Sequence, residues 1–232
     1  MSNNLGWDEL KYLNFFKERN MQYPFLLDIG ANLGDFTDEF LKLFPEGVSY
    51  CFEPIKEIYK KLNERFGFDL RVSTKNIGLS NENNFDVDMW YVKDAAGYEN
   101  STGLSSLFYR KNYYPAWNVL KTKIQLFKLD DVWDYNINKI DYVKIDVEGS
   151  EFNVLLGAKK FFQEIKPYCV QWEYGQCYED AGVTGKQTVE LLESYGYKTF
   201  NRVFFEQKSV TFYERYADVQ NFFSIRSDLI KE

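Results

Sequence analysis

The stretch from Phe25 to Thr37 constrains the fold of this chain more than any other. Its apolar start, Phe25-Leu26-Leu27, reads as a buried strand of a parallel sheet. Asp28 follows, and a turn of small residues (Gly30, Ala31, Gly34) leads into a segment with Phe36, Phe40, Leu43 and Phe44 along one helical face. A strand, a glycine turn and a helix in that order bring backbone N–H groups close to whatever occupies the turn, and the helix N-terminus beyond favours negative charge. Asp28 is placed either to take a cationic group of a ligand or to tie down the turn.

The same alternation continues. Val48–Phe52 reads as a second strand ending at Glu53-Pro54, Ile55 to Phe66 as a helix, and Leu70–Lys75 as a third strand closing on Asn76-Ile77-Gly78-Leu79-Ser80. This βαβαβ run is half of a doubly wound fold. Over 81–127 the alternation breaks. Phe85–Val92 and Ile124–Leu129 read as strands, and Gly97–Tyr114 as a polar loop, so the region is expected to be a lid-like insertion after the third strand. The parallel pattern resumes with a strand from Ile140 into Asp146-Val147-Glu148-Gly149, one helix from Phe152 to Phe162, and a strand from Tyr168 to Glu173. Thr184-x-x-Gln187 is a capping box opening a helix that Gly196 stops. Tyr197–Phe205 and Phe222–Ile225 read as an antiparallel pair. The expected whole is one α/β domain, Rossmann-like and doubly wound, with a mostly parallel seven-stranded sheet and an antiparallel C-terminal strand. Residues 1–22 add an N-terminal helix bearing Trp7, Leu10, Leu13 and Phe16.

Composition narrows the chemistry. The 232 residues carry 28 Lys and Arg against 35 Asp and Glu, a formal charge of −7, which disfavours non-specific nucleic-acid or anionic-membrane binding. No apolar run approaches a membrane span, and the first residues lack the order of a signal peptide. Cys51 and Cys169 fall in apolar runs; with Cys177 they read as reduced thiols, so a cytoplasmic protein is expected. The chain contains no histidine. His-based triads, His general bases and His-ligated metal sites are therefore excluded.

Four strands are expected to end in an acid: Asp28, Glu53, Asp146 and Glu173. Open α/β sheets bind ligands outside the carboxyl ends of their strands, so these acids would share one rim. Glu53, ending the second strand, can accept both hydroxyls of a ribose, which fits an adenosine-containing cofactor, whether NAD or S-adenosylmethionine.

Taken in order, Asp28-Ile29-Gly30-Ala31-Asn32-Leu33-Gly34, Glu53-Pro54, Asn76-Ile77-Gly78-Leu79-Ser80, Ser105-Ser106-Leu107, Leu129-Asp130-Asp131 and Val143-Lys144-Ile145-Asp146-Val147-Glu148-Gly149-Ser150-Glu151 resemble the signatures of FkbM-type methyltransferases. These are S-adenosylmethionine-dependent enzymes, mostly O-methylating, that act on sugars and polyketide hydroxyls. Gly78 departs from the alanine more usual there. The resemblance implies that Asp28, Gly30, Ala31, Asn32 and Gly34 hold the methionine part of the cofactor and Glu53 its ribose. Pro54, Ile55 and Asn76 would lie near the adenine, and Asp146 and Glu148 would face the sulfonium and the acceptor. Ser105, Ser106 and Arg110 are candidates for the acceptor's polar groups, with a solvated loop as the other reading of Arg110. Lys144 either contacts substrate or pairs with a rim acid.

With no histidine, the base that takes the hydroxyl proton must be a carboxylate, in the order Glu148, Asp146, Glu173. If Asp146 and Glu148 lie in extended backbone they share one face of their strand, with Gly149 leaving room for the acceptor. The partner expected is a small-molecule or glycan acceptor. No metal is required, although Asp146, Glu173 and a neighbour form the kind of carboxylate set that suits Mg²⁺. Two alternatives remain open. A nicotinamide-dependent oxidoreductase would share the first turn and Glu53 but normally shows Gly-x-Gly-x-x-Gly. A cofactor-binding or docking module without catalysis would keep the turn for binding alone.

Overall fold

A computed structural model describes residues 21, 23–92, 104–110, 119–200 and 220–230. The helix expected before Pro24, residues 97–103 and 111–114 of the expected loop, and 201–205 of the strand expected over Tyr197–Phe205 lie outside them.

In chain order the elements are β1 (Phe25–Ile29), α1 (Asp35–Leu43), β2 (Val48–Phe52), α2 (Lys56–Phe66), β3 (Val72–Lys75), β4 (Gly78–Leu79), β5 (Asn84–Val92), β6 (Val119–Phe127), α3 (Leu129–Val132), β7 (Tyr142–Ile145), α4 (Glu151–Leu156), α5 (Lys159–Glu164), β8 (Cys169–Tyr174), α6 (Cys177–Ala181), α7 (Gly185–Ser194), β9 (Tyr197–Phe200) and β10 (Gln220–Arg226). Seven strands form one sheet in the order β3-β2-β1-β7-β8-β10-β9. Neighbours from β3 to β8 pair in parallel, and β10 runs antiparallel to both β8 and β9. The mostly parallel sheet and its antiparallel strand are as the sequence leads one to expect.

Alternation along β1 divides the core. Leu26 packs with Phe36 and Phe40 of α1 and Leu62 and Phe66 of α2 on one face of the sheet. Leu27 and Ile29 pack on the other face, with Val154 and Leu155 of α4, Phe161 and Phe162 of α5 and Leu192 of α7. Both faces are covered, which is why the central strands read as continuous apolar runs. Thr184 and Gln187 close the expected capping box at the start of α7, and Gly196 follows that helix with φ +90°.

Two expectations need correction. The helix expected from Phe152 to Phe162 is two helices, broken at Gly157. A Cβ there would lie 1.9 Å from the Ser80 carbonyl oxygen, so only glycine allows that approach, and Asp130 caps the second piece by accepting from Lys160 and Phe161 N–H at 2.9 and 2.8 Å. The third strand begins at Val72 rather than Leu70, which is fully exposed. Both strands expected in the insertion are present, as β5 and β6, with β6 starting earlier at Val119; with β4 they form a separate three-stranded sheet in the order β4-β6-β5. Ile124 and Leu126 on β6 are buried while Lys121, Lys123 and Gln125 between and before them are exposed, so one face packs inward as a wall.

Candidate active site

Strand order reverses between β1 and β7, since the chain moves from β1 through β2 to β3 and then returns to pair β7 on the other side of β1. A crevice opens outside the carboxyl ends at such a point. Here it is a cavity of about 300 Å³, at the lower end of the usual range for small-molecule sites. Its floor is the β1–α1 turn. Gly30 and Ala31 N–H both donate to the Phe52 carbonyl at 3.0 Å, and Gly30 has φ +79°. A Cβ on Gly30 would lie 1.9 Å from the Asp146 carbonyl oxygen, so glycine is what lets the turn close against the end of β7.

Of the residues expected to hold a cofactor, Gly30, Ala31, Asn32, Glu53, Pro54 and Asp146 line this cavity. Glu53 is 5% exposed. It accepts from Ile55 N–H at 2.8 Å and from Asn32 N–H at 3.1 Å. Burial pushes its carboxyl up to about 7, against those two donors. A carboxylate has about four acceptor sites, so lone pairs remain for a ligand. Asn32 Oδ1 and Ser150 Oγ are buried without a hydrogen-bond partner, and both residues line the cavity. Orphaned polar atoms there, with a carboxylate at the end of β2, fit a polar ligand with hydroxyl and amino groups.

Asp28, Gly34, Ile55 and Asn76 do not line the cavity. Asp28 is fully buried and accepts from Thr37 Oγ on α1 at 2.7 Å. That bond ties the end of β1 to α1 across the turn. Gly34 precedes α1 with φ +83°, and a Cβ would collide with Phe66 and Leu62 of α2 at 2.4 and 2.7 Å; it serves helix packing. Ile55 is buried against Ile58, Met89, Ile124 and Leu126. Asn76 donates to the Glu53 and Pro54 carbonyls at 2.9 and 3.0 Å, fixing the loop that carries Glu53.

The acids meet beyond β7. One carboxylate oxygen each from Asp146, Glu148 and Glu173 lies within 4.8 Å of the others. That spacing would suit a cation, but Asp146 and Glu148 are already bonded to side-chain cations. Lys144 Nζ donates to Asp146 at 2.9 Å and lies 4.0 Å from Asp28; Lys144 thus pairs with a rim acid while also lining the cavity. Arg110 donates to Glu148 Oε2 at 2.8 Å. Burial, then the neighbouring Asp146, raises the Glu148 carboxyl, with Arg110 opposing. Burial and the same acids push Glu173 well above the usual range. Glu173 lies within β8 and does not line the cavity.

The premise that Asp146 and Glu148 share an extended strand does not hold. The strand ends at Ile145, and Glu148 has φ +54°. Glu151 imposes this turn by accepting from Val147 and Gly149 N–H, both at 3.0 Å. It is fully buried, and burial pushes its carboxyl up to about 7. Gly149 makes no room for a substrate either, because a Cβ there would press on the Cys177 carbonyl oxygen at 2.7 Å. Ser105 and Leu107 reach the cavity wall. Ser106 instead donates to the Glu148 carbonyl at 2.7 Å, and Arg110 is 2% exposed and off the cavity surface; neither is a solvated loop residue. Sequence reasoning missed Met89, Ile124 and Leu126 on the wall and Ser150 on the rim. The alternation along β6 was the signal for two of them.

Residues 28–199 match the family described as Methyltransferase FkbM domain. The chain is 26% identical over 179 residues to the 2-O-methyltransferase NoeI of Sinorhizobium fredii, covering 74% of this chain and 72% of NoeI. It is 27% identical over 199 residues to the methyltransferase sdnD of Sordaria araneosa, covering 75% and 73%. Among solved structures, magnesium protoporphyrin IX methyltransferase of Synechocystis PCC 6803 with bound SAM shares the fold with a TM-score of 0.50 at 8% identity, over 95% of this chain and 80% of that one. The match spans both the glycine turn and the acids beyond β7, and the chain belongs to the FkbM methyltransferase family, whose methyl donor is S-adenosylmethionine.

Proposed function

We propose that this protein O-methylates a hydroxyl of a sugar, glycan or similar polyhydroxylated small molecule, with Glu148 as the carboxylate that takes the hydroxyl proton. The carrying observation is Glu148 itself: a cavity-lining carboxylate in a left-handed turn, raised by burial and by Asp146 beside it. A base of ordinary carboxylate strength would be too weak, and the rise brings it towards working pH. The likeness to a 2-O-methyltransferase favours a hydroxyl acceptor.

When bound, S-adenosylmethionine supplies a methyl group on a sulfonium cation, displaced in line by the acceptor oxygen. Glu53 would accept ribose hydroxyls, and Gly30, Ala31 and Asn32 would present backbone and amide groups to the methionine part. Asp146, beside Gly30 and paired with Lys144, offers negative charge where a cationic sulfur is to be held. The wall of β5 and β6 keeps water from one side. Orientation by these groups can account for roughly 7–11 kcal/mol of the barrier, and Glu148 for about 10²–10⁴-fold in rate. Family membership leaves no role for a nicotinamide.

The test is transfer of labelled methyl from S-adenosylmethionine to mono- and oligosaccharides with free vicinal hydroxyls, beside matched amines and carboxylic acids. Methylation of the sugars is expected, and Glu148→Gln should lower that rate by about a hundredfold or more while S-adenosylhomocysteine affinity is kept. Methylation confined to the amines or acids would overturn the acceptor class. A wild-type rate in Glu148→Gln, with Asp146→Asn or Glu173→Gln inactive, would move the base to another carboxylate.

A further inference from the structure

The described segment of the insertion at 104–110 holds Glu148, on the rim of the site, by two hydrogen bonds. Ser106 Oγ donates to the Glu148 carbonyl oxygen at 2.7 Å, and Arg110 Nη1 donates to Glu148 Oε2 at 2.8 Å. The Arg110 side chain is 3% exposed and that of Glu148 14%. On its far side the segment is fastened to β5: Trp90 and Ser106 exchange backbone hydrogen bonds of 2.9 Å each, and the rings of Trp90 and Tyr109 meet edge to face at 5.1 Å. A cation buried this deeply, bonded to the acid rather than lining the cavity, is placed to act on that acid rather than on a substrate.

We propose that Arg110 is a positioning residue for methyl transfer, whose guanidinium fixes the Glu148 carboxylate at the cavity rim and favours its ionised form, so that proton acceptance depends on the 104–110 segment being seated. This rests on the reading of Glu148 as the base. The titratable and charged groups facing Glu148 come from every side. Asp146 and Lys144 lie at the end of β7, Glu151 starts α4, Glu173 is on β8, Cys177 starts α6 and Arg110 comes from the insertion. The acids and burial favour a protonated Glu148, which cannot accept a proton. Against them stand two cations. Lys144 is bonded to Asp146, whereas Arg110 makes direct contact with Glu148. Because Arg110 engages Oε2, Oε1 is left to take the proton.

The test begins without an acceptor. In carbon-13 glutamate-labelled protein free of cofactor, the Glu148 resonance is identified by its loss in Glu148→Gln and titrated in wild type, Arg110→Met and Arg110→Gln. An upward movement of about one pH unit or more is expected in both Arg110 variants, and Arg110→Lys should restore much of it. Two variants are used so that one remains if the other does not fold. S-adenosylhomocysteine affinity, read by calorimetry, should stay within about threefold, because Arg110 does not line the cavity. With the sugar turned over best in the panel above, the acid limb of the rate profile should move up by the same amount. An unmoved Glu148 titration in a folded Arg110 variant overturns the inference, even if Glu148→Gln is inactive and the base reading stands. Wild-type turnover in Glu148→Gln overturns the base reading itself, and with it any role of Arg110 through that residue.

Discussion

Raising the pH should weaken the fold of the cofactor-free protein, and Glu53 is the residue on which to measure it. Its carboxyl lies at about 7 in the folded protein against 4.5 for an unperturbed glutamate. The folded protein therefore holds a proton over a range in which the unfolded chain has lost it. The stability tied to Glu53 is complete below about 4.5 and lost as pH rises through about 7. Each pH unit between those values is worth about 1.4 kcal/mol, so ionised Glu53 lowers stability by roughly 3 kcal/mol at pH 8 relative to pH 4. Burial is nearly complete, so solvent screening removes little of this. Glu151 acts with the same sign, while Asp69, Asp88 and Asp228 are lowered by ion pairs, and Asp131 by the Asn83 amide and then Lys128, so these four titrate below the window. Urea unfolding of wild type and Glu53→Gln at pH 5, 6, 7 and 8 isolates Glu53, since every other group is common to both. Wild type should lose roughly 2–3 kcal/mol more than the variant across that range. Curves that stay parallel to within about 0.5 kcal/mol would refute the reasoning. If ribose hydroxyls donate to this carboxylate, binding of S-adenosylhomocysteine near pH 6.5 should also release a proton, seen in buffers of different ionisation enthalpy and absent in Glu53→Gln.

Gly30→Ala should cost about 3 kcal/mol or more, because its Cβ would sit 1.9 Å from a backbone oxygen at φ +79°. Gly182→Ala, at φ +68° with nothing within 4 Å, should cost only the backbone strain of about 1–2 kcal/mol; equal midpoints in urea for the two would remove the close approach from the account. Thr184→Ala opens the capping box of α7 and should cost about 1 kcal/mol by the same assay, and no change would show that the box is redundant with the packing of Leu192.

The central sheet was legible because both of its faces are covered, so buried strands announce themselves as apolar runs such as Phe25–Leu27 and Tyr168–Val170. The acids near strand ends were legible for the same reason, as charges interrupting apolar stretches. What was not legible was where each acid points. Asp28 and Glu53 look alike in sequence, yet Asp28 faces a helix threonine and Glu53 the cavity, a difference set by the alternation of the pleat and by Thr37 lying opposite. The turn at Glu148 was hidden because its cause, Glu151, lies on the next helix and acts through two backbone N–H groups. Arg110 was hidden more deeply. Its partner is distant in sequence, and the segment that carries it is held in place by contacts no local pattern announces, such as the pairing of Trp90 with Ser106.

The place of β10 has a consequence for biosynthesis. Among the described strands β9 pairs only with β10, and β10 pairs with β8 on its other side. Ser224, in the middle of β10, joins the two neighbours further: its hydroxyl accepts from Trp172 Nε1 on β8 at 3.1 Å and shares a hydrogen bond of 2.8 Å with Thr199 on β9. As the chain emerges from a ribosome, β8 is made before α7 and β9, and β9 has no partner until the residues from 220 onward are released. The nascent protein must therefore carry β8 with one open edge and β9 undocked until β10 slides between them. A chain stopped short of residue 220 would present that gap to any other strand, including its counterpart in a second nascent copy.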